Sequence, residues 1–432
     1  MTEARAARPF VRALSGLRFV PALGVVVAHV VTSWRAMVER PGASSPEFVR
    51  WCADGVTAFT GHPVALGLTQ SATGALGGFF ELSGFVLAYV YLADAGPTAL
   101  DRRAFWAARV ARIYPLYLLG LAFALRAFVA DTIAAGSAPE APPLTPLGLT
   151  ATVLSAVLLL QAWWPRAVLA WNAPAWSLSC EAFFYLVFPW TIRLVDRLRA
   201  RGLLVLAGAC WLAAMAAPLA YLALDPDRLG PVGWTSEGWW LRAVKFGPLF
   251  RFPEFLLGVA LGKLWLVTAP RHGALRRFGP WLSGAGALAW LATGLLCVRL
   301  GISFLLMHNG FLDLAFAAMV FGLALGGGPL HRALAWRPVA LLGDASYALY
   351  LLHLPAVLYV LLAIAPFGAP PLPPAAFAAL VCVASAAAAA AVHLHFEVPA
   401  RRLVRALLLA PPGEDWQVTV RREPPAGVAR AG

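Results

Sequence analysis

Long apolar runs follow one another along almost the whole chain. Eleven of them occur, near residues 14–34, 74–94, 113–130, 147–164, 176–195, 203–222, 250–267, 280–298, 304–326, 338–364 and 374–395. Most approach the roughly 20 residues that an α-helix needs to cross a ~30 Å hydrocarbon core. Because a helix satisfies its own backbone hydrogen bonds inside lipid, this pattern predicts an all-α, polytopic transmembrane helical bundle.

The basic residues between the runs predict how the chain threads the membrane. Clusters of arginine lie before residue 14, at 102–112, 193–201, 271–277 and 332–337, and after residue 400. Arginine and lysine concentrate in cytoplasmic connectors. If every run crossed, the 193–201 cluster would lie outside, whereas all clusters lie inside if the 147–164 run does not cross. We therefore expect about ten spans, a re-entrant or interfacial segment at 147–164, and both termini in the cytoplasm.

Composition agrees with a membrane protein. The 432 residues are 60% hydrophobic and 13% charged, against about 25% charged in soluble domains. The net charge of +13 does not indicate a nucleic-acid partner, because the basic residues separate apolar runs. The five cysteines lack the pair spacing of a metal site, and neither a metal nor a disulfide framework is predicted. We expect one transmembrane domain over 1–410 and a disordered cytoplasmic tail over 411–432, in a bacterial inner or plasma membrane.

The first run contains two ionisable residues that are costly at bilayer depth. Arg18 and His29 are eleven residues apart, which places them about 20° apart around a helix and ~16 Å apart along it. They therefore share a face, with Arg18 near the cytoplasmic boundary and His29 in the outward half. Taken alone, Arg18 could be a snorkelling, topology-setting arginine and His29 a helix–helix hydrogen-bonding group.

Other runs carry ionisable residues toward the same outward side. Glu181 lies near the outward end of its run, and Arg251 and Glu254, three residues apart, could simply pair with each other. His353 lies about 15 residues into an outward-running span, at a depth similar to that of His29. These positions predict a polar site in the outward half of the bundle.

The cytoplasmic side is rich in arginine. Arg109 and Arg112 are one helical turn apart at the start of a span. Paired guanidiniums suit a phosphate-bearing ligand, although topology alone would also explain them. Glu397 lies close in sequence to Arg401 and Arg402, which predicts a local salt bridge.

Two further acidic residues lie inside apolar runs. Glu81 falls within FFELSGF, where Ser83 and Gly84 would allow another backbone to approach closely and are interpreted as packing residues. Asp313, within NGFLDLAFAA, has no obvious local partner.

Six motifs occur in order: Arg18 with His29 and ten residues between them, FFELSGF, RVARIYPLY, WSLSCEAFFY, RFPEFLLG and SYALYLLHLP. In these motifs the sequence resembles the acyltransferase-3 family of integral-membrane O-acyltransferases, over about residues 14–402. The resemblance implies transfer of an acyl group, commonly acetyl, from a coenzyme A thioester to a hydroxyl of a carbohydrate or other acceptor.

The resemblance also implies roles for individual residues. Arg18 and His29 would matter for activity, Arg109 and Arg112 would belong to the family's cytoplasmic arginine motif, and Glu181 would match its glutamate.

One departure from the family pattern is visible. Ala75, Leu76 and Gly77 stand where the family often has Gly-x-Asp before the Phe-Phe pair. Any role of that aspartate is therefore unfilled or has moved to Glu81.

Acyl transfer to a hydroxyl needs a base, and histidine is the usual one. We expect His29 to be the general base or a transient acyl-histidine nucleophile. Glu181 or His353 would orient it or relay protons to it.

The remaining candidates are binding residues. Arg18, Arg109 and Arg112 are predicted to hold the phosphates of acyl-CoA from the inside, and Arg251 and Trp176 to contact the acceptor.

A transporter or flippase is the competing class, because intramembrane charges also form proton or substrate paths. The lack of an evident internal repeat counts weakly against it. A third interpretation combines the two, with the acyl group passed through the protein to an acceptor outside. The outer tryptophans Trp51, Trp234, Trp239 and Trp240 could stack on a sugar ring or form an interfacial belt.

Overall fold

The computed structural model describes residues 9–40, 42, 44–92, 100–136, 145–233, 236–297 and 299–410. All regular structure in this part of the chain is helical, without a strand, which confirms the predicted all-α class. The helices are α1 Pro9–Glu39, α2 Pro46–Thr60, α3 Pro63–Leu92, α4 Arg102–Gly136, α5 Pro146–Val157, α6 Trp176–Asp196, α7 Ala200–Leu224, α8 Trp239–Phe246, α9 Pro248–Val267, α10 His272–Leu275, α11 Gly279–Leu296, α12 Phe304–His308, α13 Asp313–Leu325, α14 Gly328–Leu334, α15 Arg337–Asp344, α16 Ser346–Ile364, α17 Pro374–Val392 and α18 Val398–Leu409. The predicted tail at 411–432 lies outside the described residues.

Eight helical segments of the described chain are long and apolar enough to cross a membrane. They are Arg12–Glu39, Pro63–Leu92, Arg102–Ile133, Ala173–Asp196, Ala200–Leu224, Phe304–Leu325, Ser346–Phe367 and Pro374–Leu409. Trp239–Val267 and Ala269–Leu296, bent by 59° at their junction, qualify together as a ninth. The polytopic bundle is thus confirmed, but the predicted number of ten spans is not. The difference comes from this bent pair, whose two arms the sequence pattern counts separately.

The 147–164 run forms only a short helix. α5 has 12 residues, which corresponds to about 18 Å and is well short of the ~30 Å hydrocarbon core. After α5 the chain continues through two single turns of 3₁₀-helix, Gln161–Trp163 and Ala173–Ala175, before α6 begins. The Tyr117 hydroxyl of α4 donates a hydrogen bond to the Ala156 carbonyl near the end of α5. This geometry fits a segment that does not cross, as the charge pattern predicts.

α1 and α3 lie at the centre of the bundle. α1 packs against α2, α3 and α13 to α17, and α3 packs against α9, α11, α12 and α13. Side chains of α1 such as Leu14, Leu17 and Val26 are therefore buried in protein. The central position of α1 explains how Arg18 and His29 can lie at membrane depth without facing lipid.

Prolines inside two of the long helices leave carbonyls that other side chains satisfy. A proline has no N–H to donate to the carbonyl four residues earlier. In α16 Pro355 frees the Leu351 carbonyl, which accepts a hydrogen bond from Asn172 Nδ2 at 2.9 Å. In α6 Pro189 frees the carbonyl of residue 185, which accepts from Trp106 Nε1 at 3.1 Å. Proline is tolerated in membrane helices where neighbours supply such donors. Here the first bond ties α16 to the segment before α6, and the second ties α4 to α6.

Glycines allow α3 and α9 to cross with their backbones in contact. A Cβ atom on Gly84 would overlap the Phe255 carbonyl oxygen, and one on Gly258 would overlap the Glu81 carbonyl oxygen. Small residues at helix crossings are a common solution in membranes, where van der Waals packing drives association. The packing role predicted for Gly84 is therefore confirmed.

We expect Gly84→Ala to destabilise the bundle by about 1–3 kcal/mol, because an added methyl group would meet backbone atoms that cannot rotate away. Gly208→Ala in α7 is the matched control, since a Cβ there has no neighbour within 4 Å. Thermal unfolding of the two purified variants in one detergent checks this. An equal Tm for both would contradict the close crossing.

Candidate active site

His29 of α1 and His353 of α16 meet inside the bundle. His29 Nδ1 lies 2.6 Å from His353 Nε2. The two rings are 10° from parallel with centroids 4.9 Å apart, so the contact joins their edges rather than their faces. His353 is 1% exposed. The expectation that the two histidines lie at similar depth is confirmed, and their contact makes them one unit.

The hydrogen bonds of this unit determine its tautomers. His353 Nδ1 lies 2.9 Å from the Leu349 carbonyl oxygen, which can only accept, so this nitrogen carries the proton. In the neutral ring His353 Nε2 is then the acceptor, and His29 Nδ1 must donate to it. His29 Nε2 is left with a free lone pair. The arrangement therefore sets up His29 as a base at Nε2.

A cavity of about 250 Å³ adjoins the histidine pair. Its wall comes from α1, α3, the segment before α6, α8, α12 and α16, and most of its lining is apolar. Its polar and aromatic lining residues include His29, Thr32, Trp176, Lys245, His308 and Tyr350. Trp176, which is predicted from the sequence to contact the acceptor, therefore lines this cavity.

Arg251, the other predicted acceptor residue, does not line this cavity. It is fully buried behind the wall, and its Nη2 lies 2.9 Å from Glu254 Oε2. Its Nη1 donates to the His308 carbonyl oxygen at 2.7 Å, and its guanidinium lies over the rings of Phe80 and Trp176 at 5.4 and 5.8 Å. Arg251 therefore pairs with Glu254, as the sequence also allows, and supports two wall residues from behind.

Acidic side chains collect around the same arginine. Glu81 is fully buried, and neither of its carboxylate oxygens has a hydrogen-bond partner among the described residues. A Cβ on Gly77 would lie 2.7 Å from Asp313 Oδ1 and 3.2 Å from Glu254 Cδ. Asp313 and Glu254 thus occupy the space next to position 77, where the family often carries aspartate. The space beside Gly77 is therefore occupied by carboxylates from α13 and α9, and not by Glu81 alone.

Glu181 lies among arginines, not at the histidine pair. It accepts a side-chain hydrogen bond from Tyr185, one turn later on α6, and it is within electrostatic reach of Arg18, Arg109 and Arg112. The sequence predicts that Glu181 lies in the outward half and assists His29, but in the structure its electrostatic neighbours are Arg18, Arg109 and Arg112.

The arginine group gathers residues from α1, α4 and α18. Arg112 forms an ion pair with Glu397 and lies over the ring of Tyr347 at 5.2 Å. Glu397 also accepts from His393 Nδ1 at 2.8 Å, across a π-helical turn over residues 393–397. The sequence predicts a local salt bridge of Glu397 with Arg401 and Arg402, which is only partly right. Arg401 lies within electrostatic reach of Glu397, but the ion pair forms with Arg112 of α4.

Arg109 of this group has hydrogen-bond donors without a partner among the described residues. Its guanidinium lies 5.7 Å from the centroid of the Tyr185 ring, and its Nε and Nη2 are buried without a hydrogen-bond partner in the described chain. Buried donors of a charged group are costly to leave unpaired. An anion bound at Arg109 would satisfy them.

Comparison with known proteins identifies the family of this chain. The profile of the family described as Acyltransferase domain matches residues 11–394, which is most of the chain. The chain belongs to this acyltransferase family. Acyltransferase MdmB of Streptomyces mycarofaciens is 28% identical over 360 residues, which cover 80% of this chain and 79% of MdmB. O-acetyltransferase OatA of Staphylococcus aureus is 23% identical over 296 residues, which cover 65% of this chain but only 45% of OatA. No solved structure matches the chain.

Among the outer tryptophans of this membrane acyltransferase, one is buried and two are exposed in the part of the chain that the structure describes. Trp51 is buried against Trp34 and Phe377, and its Nε1 donates to the Leu372 carbonyl at 2.8 Å, so it is not free to stack on a sugar. Trp239 and Trp240 are 45% and 51% exposed, and their rings meet edge to face. Trp234 lies outside the described residues.

The sequence missed two wall residues of the acyltransferase cavity, Lys245 and His308. The only available signals were a lysine in an aromatic outer connector, WWLRAVKF, and a histidine in the short MHNG stretch. Neither stands out, because Lys245 lies in a connector between apolar runs and His308 stands near the start of the 304–326 run without a recognisable motif.

Replacing Glu397 with glutamine should lower the stability of the acyltransferase by several degrees in Tm. Arg112 would lose the carboxylate that balances it, and breaking a buried pair typically costs about 3–5 kcal/mol. The control is Glu39→Gln at the Arg35–Glu39 pair, whose side chains are 51% and 57% exposed and where a loss of only about 0–1 kcal/mol is expected. A Tm for Glu397→Gln no lower than that of the control would exclude a stabilising role for the buried pair.

Proposed function

We propose that this acyltransferase moves an acyl group, commonly acetyl, from acyl-CoA to a hydroxyl of a carbohydrate or other acceptor. The observation that carries the proposal is the hydrogen-bonded pair of His29 and His353 at the wall of a cavity. A fixed tautomer with a free nitrogen at an enclosed site is what general-base transfer to a hydroxyl requires. The family, and the chain's similarity to the acyltransferase MdmB and the O-acetyltransferase OatA, support the same chemistry.

His29 acts on the acceptor hydroxyl. As the acceptor oxygen bonds to the thioester carbonyl carbon, His29 Nε2 takes the hydroxyl proton. The carbon–sulfur bond then breaks, and the coenzyme A thiolate leaves and takes that proton from the imidazolium. His353 Nε2 accepts from His29 Nδ1 throughout and so stabilises the charged ring. A transient acyl-histidine is the alternative route, and a covalent adduct trapped by mass spectrometry would distinguish it.

The inner arginine group binds the phosphates of the donor. Arg109 offers buried donors that lack partners in the described chain, and Arg18 lies nearby beside Glu181. Arg112 is already paired with Glu397, so it contributes less charge to the ligand than the sequence suggests. Arg18 and His29 are ~16 Å apart along α1. In coenzyme A the extended pantetheine arm likewise separates the thioester from the phosphates, so the thioester could reach His29 while the phosphates bind at the arginine group.

The acceptor enters from the opposite side of the bundle. The positive-inside pattern places the arginine group on the cytoplasmic side, both termini in the cytoplasm, and the cavity in the outward half. The acyltransferase would then sit in a bacterial inner or plasma membrane and take its donor from inside and its acceptor from outside.

His29→Ala should lower kcat for acyl transfer about 10²–10⁴-fold, because the base is removed. His353→Leu should lower it as well, since His29 would lose the acceptor that fixes its tautomer, and His353→Gln should recover part of the loss through its amide oxygen. His62→Ala, at an exposed histidine, is the control. The measurement is radiolabelled acetyl transfer by purified protein. Full activity in the His29 variant would end its assigned role.

Arg109→Ala should raise KM for acetyl-CoA about tenfold or more. If Arg109 holds the 3′-phosphate, the variant and the wild type should differ less when acetyl-dephospho-CoA is the donor. If it holds the pyrophosphate, the difference should be the same for both donors. Arg103→Ala, at an exposed arginine of the same helix, should leave KM unchanged. An unchanged KM in both variants would remove Arg109 from the donor site.

A proteoliposome assay separates this proposal from transport. Acceptor flux in the absence of any acyl donor would favour a flippase, whereas acetylated product that needs acetyl-CoA on the arginine side supports transfer. Mass comparison of surface glycans with and without the protein would identify the acceptor.

A further inference from the structure

Lys245 is a buried cation in the wall of the outer cavity, at the opposite end of the site from the donor arginines. It is 7% exposed and lies in α8, next to the cavity residue Phe246. None of the cavity-lining residues is acidic. Lys245 forms no ion pair with a carboxylate among the described residues. Glu237, the acidic residue within its electrostatic reach, is 69% exposed and pairs with Arg242 at 2.8 Å.

The protein holds this ammonium group in a fixed place. Its Nζ lies 5.0 Å from the ring centroids of both Phe246 and Phe304. The backbone on either side is fixed as well, because the Val244 carbonyl accepts from Asn309 Nδ2 at 2.9 Å and the Phe246 carbonyl accepts from Cys180 Sγ at 3.2 Å. Aromatic faces attract a cation, but they do not replace the hydrogen bonds of an ammonium group.

His308 gives the same wall a hydrogen-bond acceptor. Asn309 Nδ2 donates to the Val244 carbonyl, so its Oδ1 faces His308 Nδ1 at 2.9 Å and accepts from it. In the neutral ring His308 Nε2 therefore carries a lone pair. The cavity thus combines one cation, Lys245, with the unprotonated nitrogens of His29 and His308.

A buried cation without a counter-ion is costly, and a ligand can provide the missing charge. A neutral sugar would leave that cost in place. A ligand with a carboxylate or phosphate would pair with Lys245, while its hydroxyl groups could donate to the imidazole nitrogens. Charge-assisted hydrogen bonds of this kind are about twice as strong as neutral ones.

We propose that the outer cavity selects an anionic acceptor, a hydroxyl compound that carries a carboxylate or phosphate group, and that Lys245 binds this group. The inference rests on the proposed acyl transfer and names the class of acceptor for the same site. The anion belongs either to a soluble glycan or to a lipid headgroup with free hydroxyls.

A binding measurement tests the anion site independently of catalysis. The probes are glucuronate and glucose, added to the full chain in nanodiscs of phosphatidylcholine, with thermal unfolding as the readout. Glucuronate should raise Tm more than glucose does, and Lys245→Gln should abolish the difference. Lys245→Arg should keep it. Arg242→Gln, on the same helix but outside the cavity lining, is the control and should also keep it.

The source of the anion is decided by the lipid. If glucuronate raises Tm in phosphatidylcholine nanodiscs, the site takes soluble anions. If only phosphatidylglycerol nanodiscs raise Tm, and Lys245→Gln removes that effect, the ligand is a lipid headgroup. No Lys245-dependent effect with either probe overturns the proposal. The proposal also fails if protection by coenzyme A is lost in Lys245→Gln but not in Arg109→Ala, because Lys245 would then serve the donor.

Acetyl transfer gives the second readout. The ratio of kcat/KM for glucuronate to that for glucose should fall about tenfold or more in Lys245→Gln and stay high in Lys245→Arg. An unchanged ratio in Lys245→Gln overturns the inference while leaving acyl transfer itself intact. Hydrolysis of acetyl-CoA without an acceptor is followed in parallel. If the wild-type protein shows neither hydrolysis nor acetyl transfer, the result counts against the proposed function rather than against the anion site.

Discussion

The cost of an ionisable group in lipid is the constraint on which the architecture depends. α1 carries Arg18 and His29 at membrane depth, and the bundle surrounds α1 on several sides so that both side chains face protein. The same constraint acts elsewhere, because Arg112 is paired with Glu397 and Arg251 with Glu254. Charged groups are thereby gathered into a few enclosed places.

The directions of the hydrogen bonds fix the tautomers of His29 and His353. A backbone carbonyl of α16 fixes the proton of His353, and His353 in turn fixes that of His29. Two neutral rings, each with one donor and one acceptor, can form this chain in only one direction. The unprotonated nitrogen of His29 therefore follows from helix packing, without an acidic residue beside the histidine pair. Glu181 lies with the arginines instead.

The proposed donor site at the arginine group and the proposed acceptor site at the cavity lie toward opposite ends of α1. The inner end offers unpaired guanidinium donors at Arg109, and the outer end offers Lys245 and His308 beside a pocket. Close crossings at Gly84 and Gly258 keep the intervening helices tightly packed. Since Arg251 stands behind Trp176 and His308, changes in the acidic group around it would be felt at the cavity wall.

The sequence alone determined the helical class, the position of Arg18 and His29 on one helix, and the family, because hydrophobic length, helical period and motif order can be read along the chain. It also gave the equal depth of His29 and His353, since depth follows from the count of residues along each span. The partners of the buried acidic side chains could not be read from the sequence. Glu397 pairs with Arg112, Glu181 with the arginine group, and Asp313 fills the space beside Gly77, and each depends on how its helix is rotated against its neighbours. Rotation and crossing angle are set by side-chain packing across the whole bundle, so only the tertiary structure could decide them.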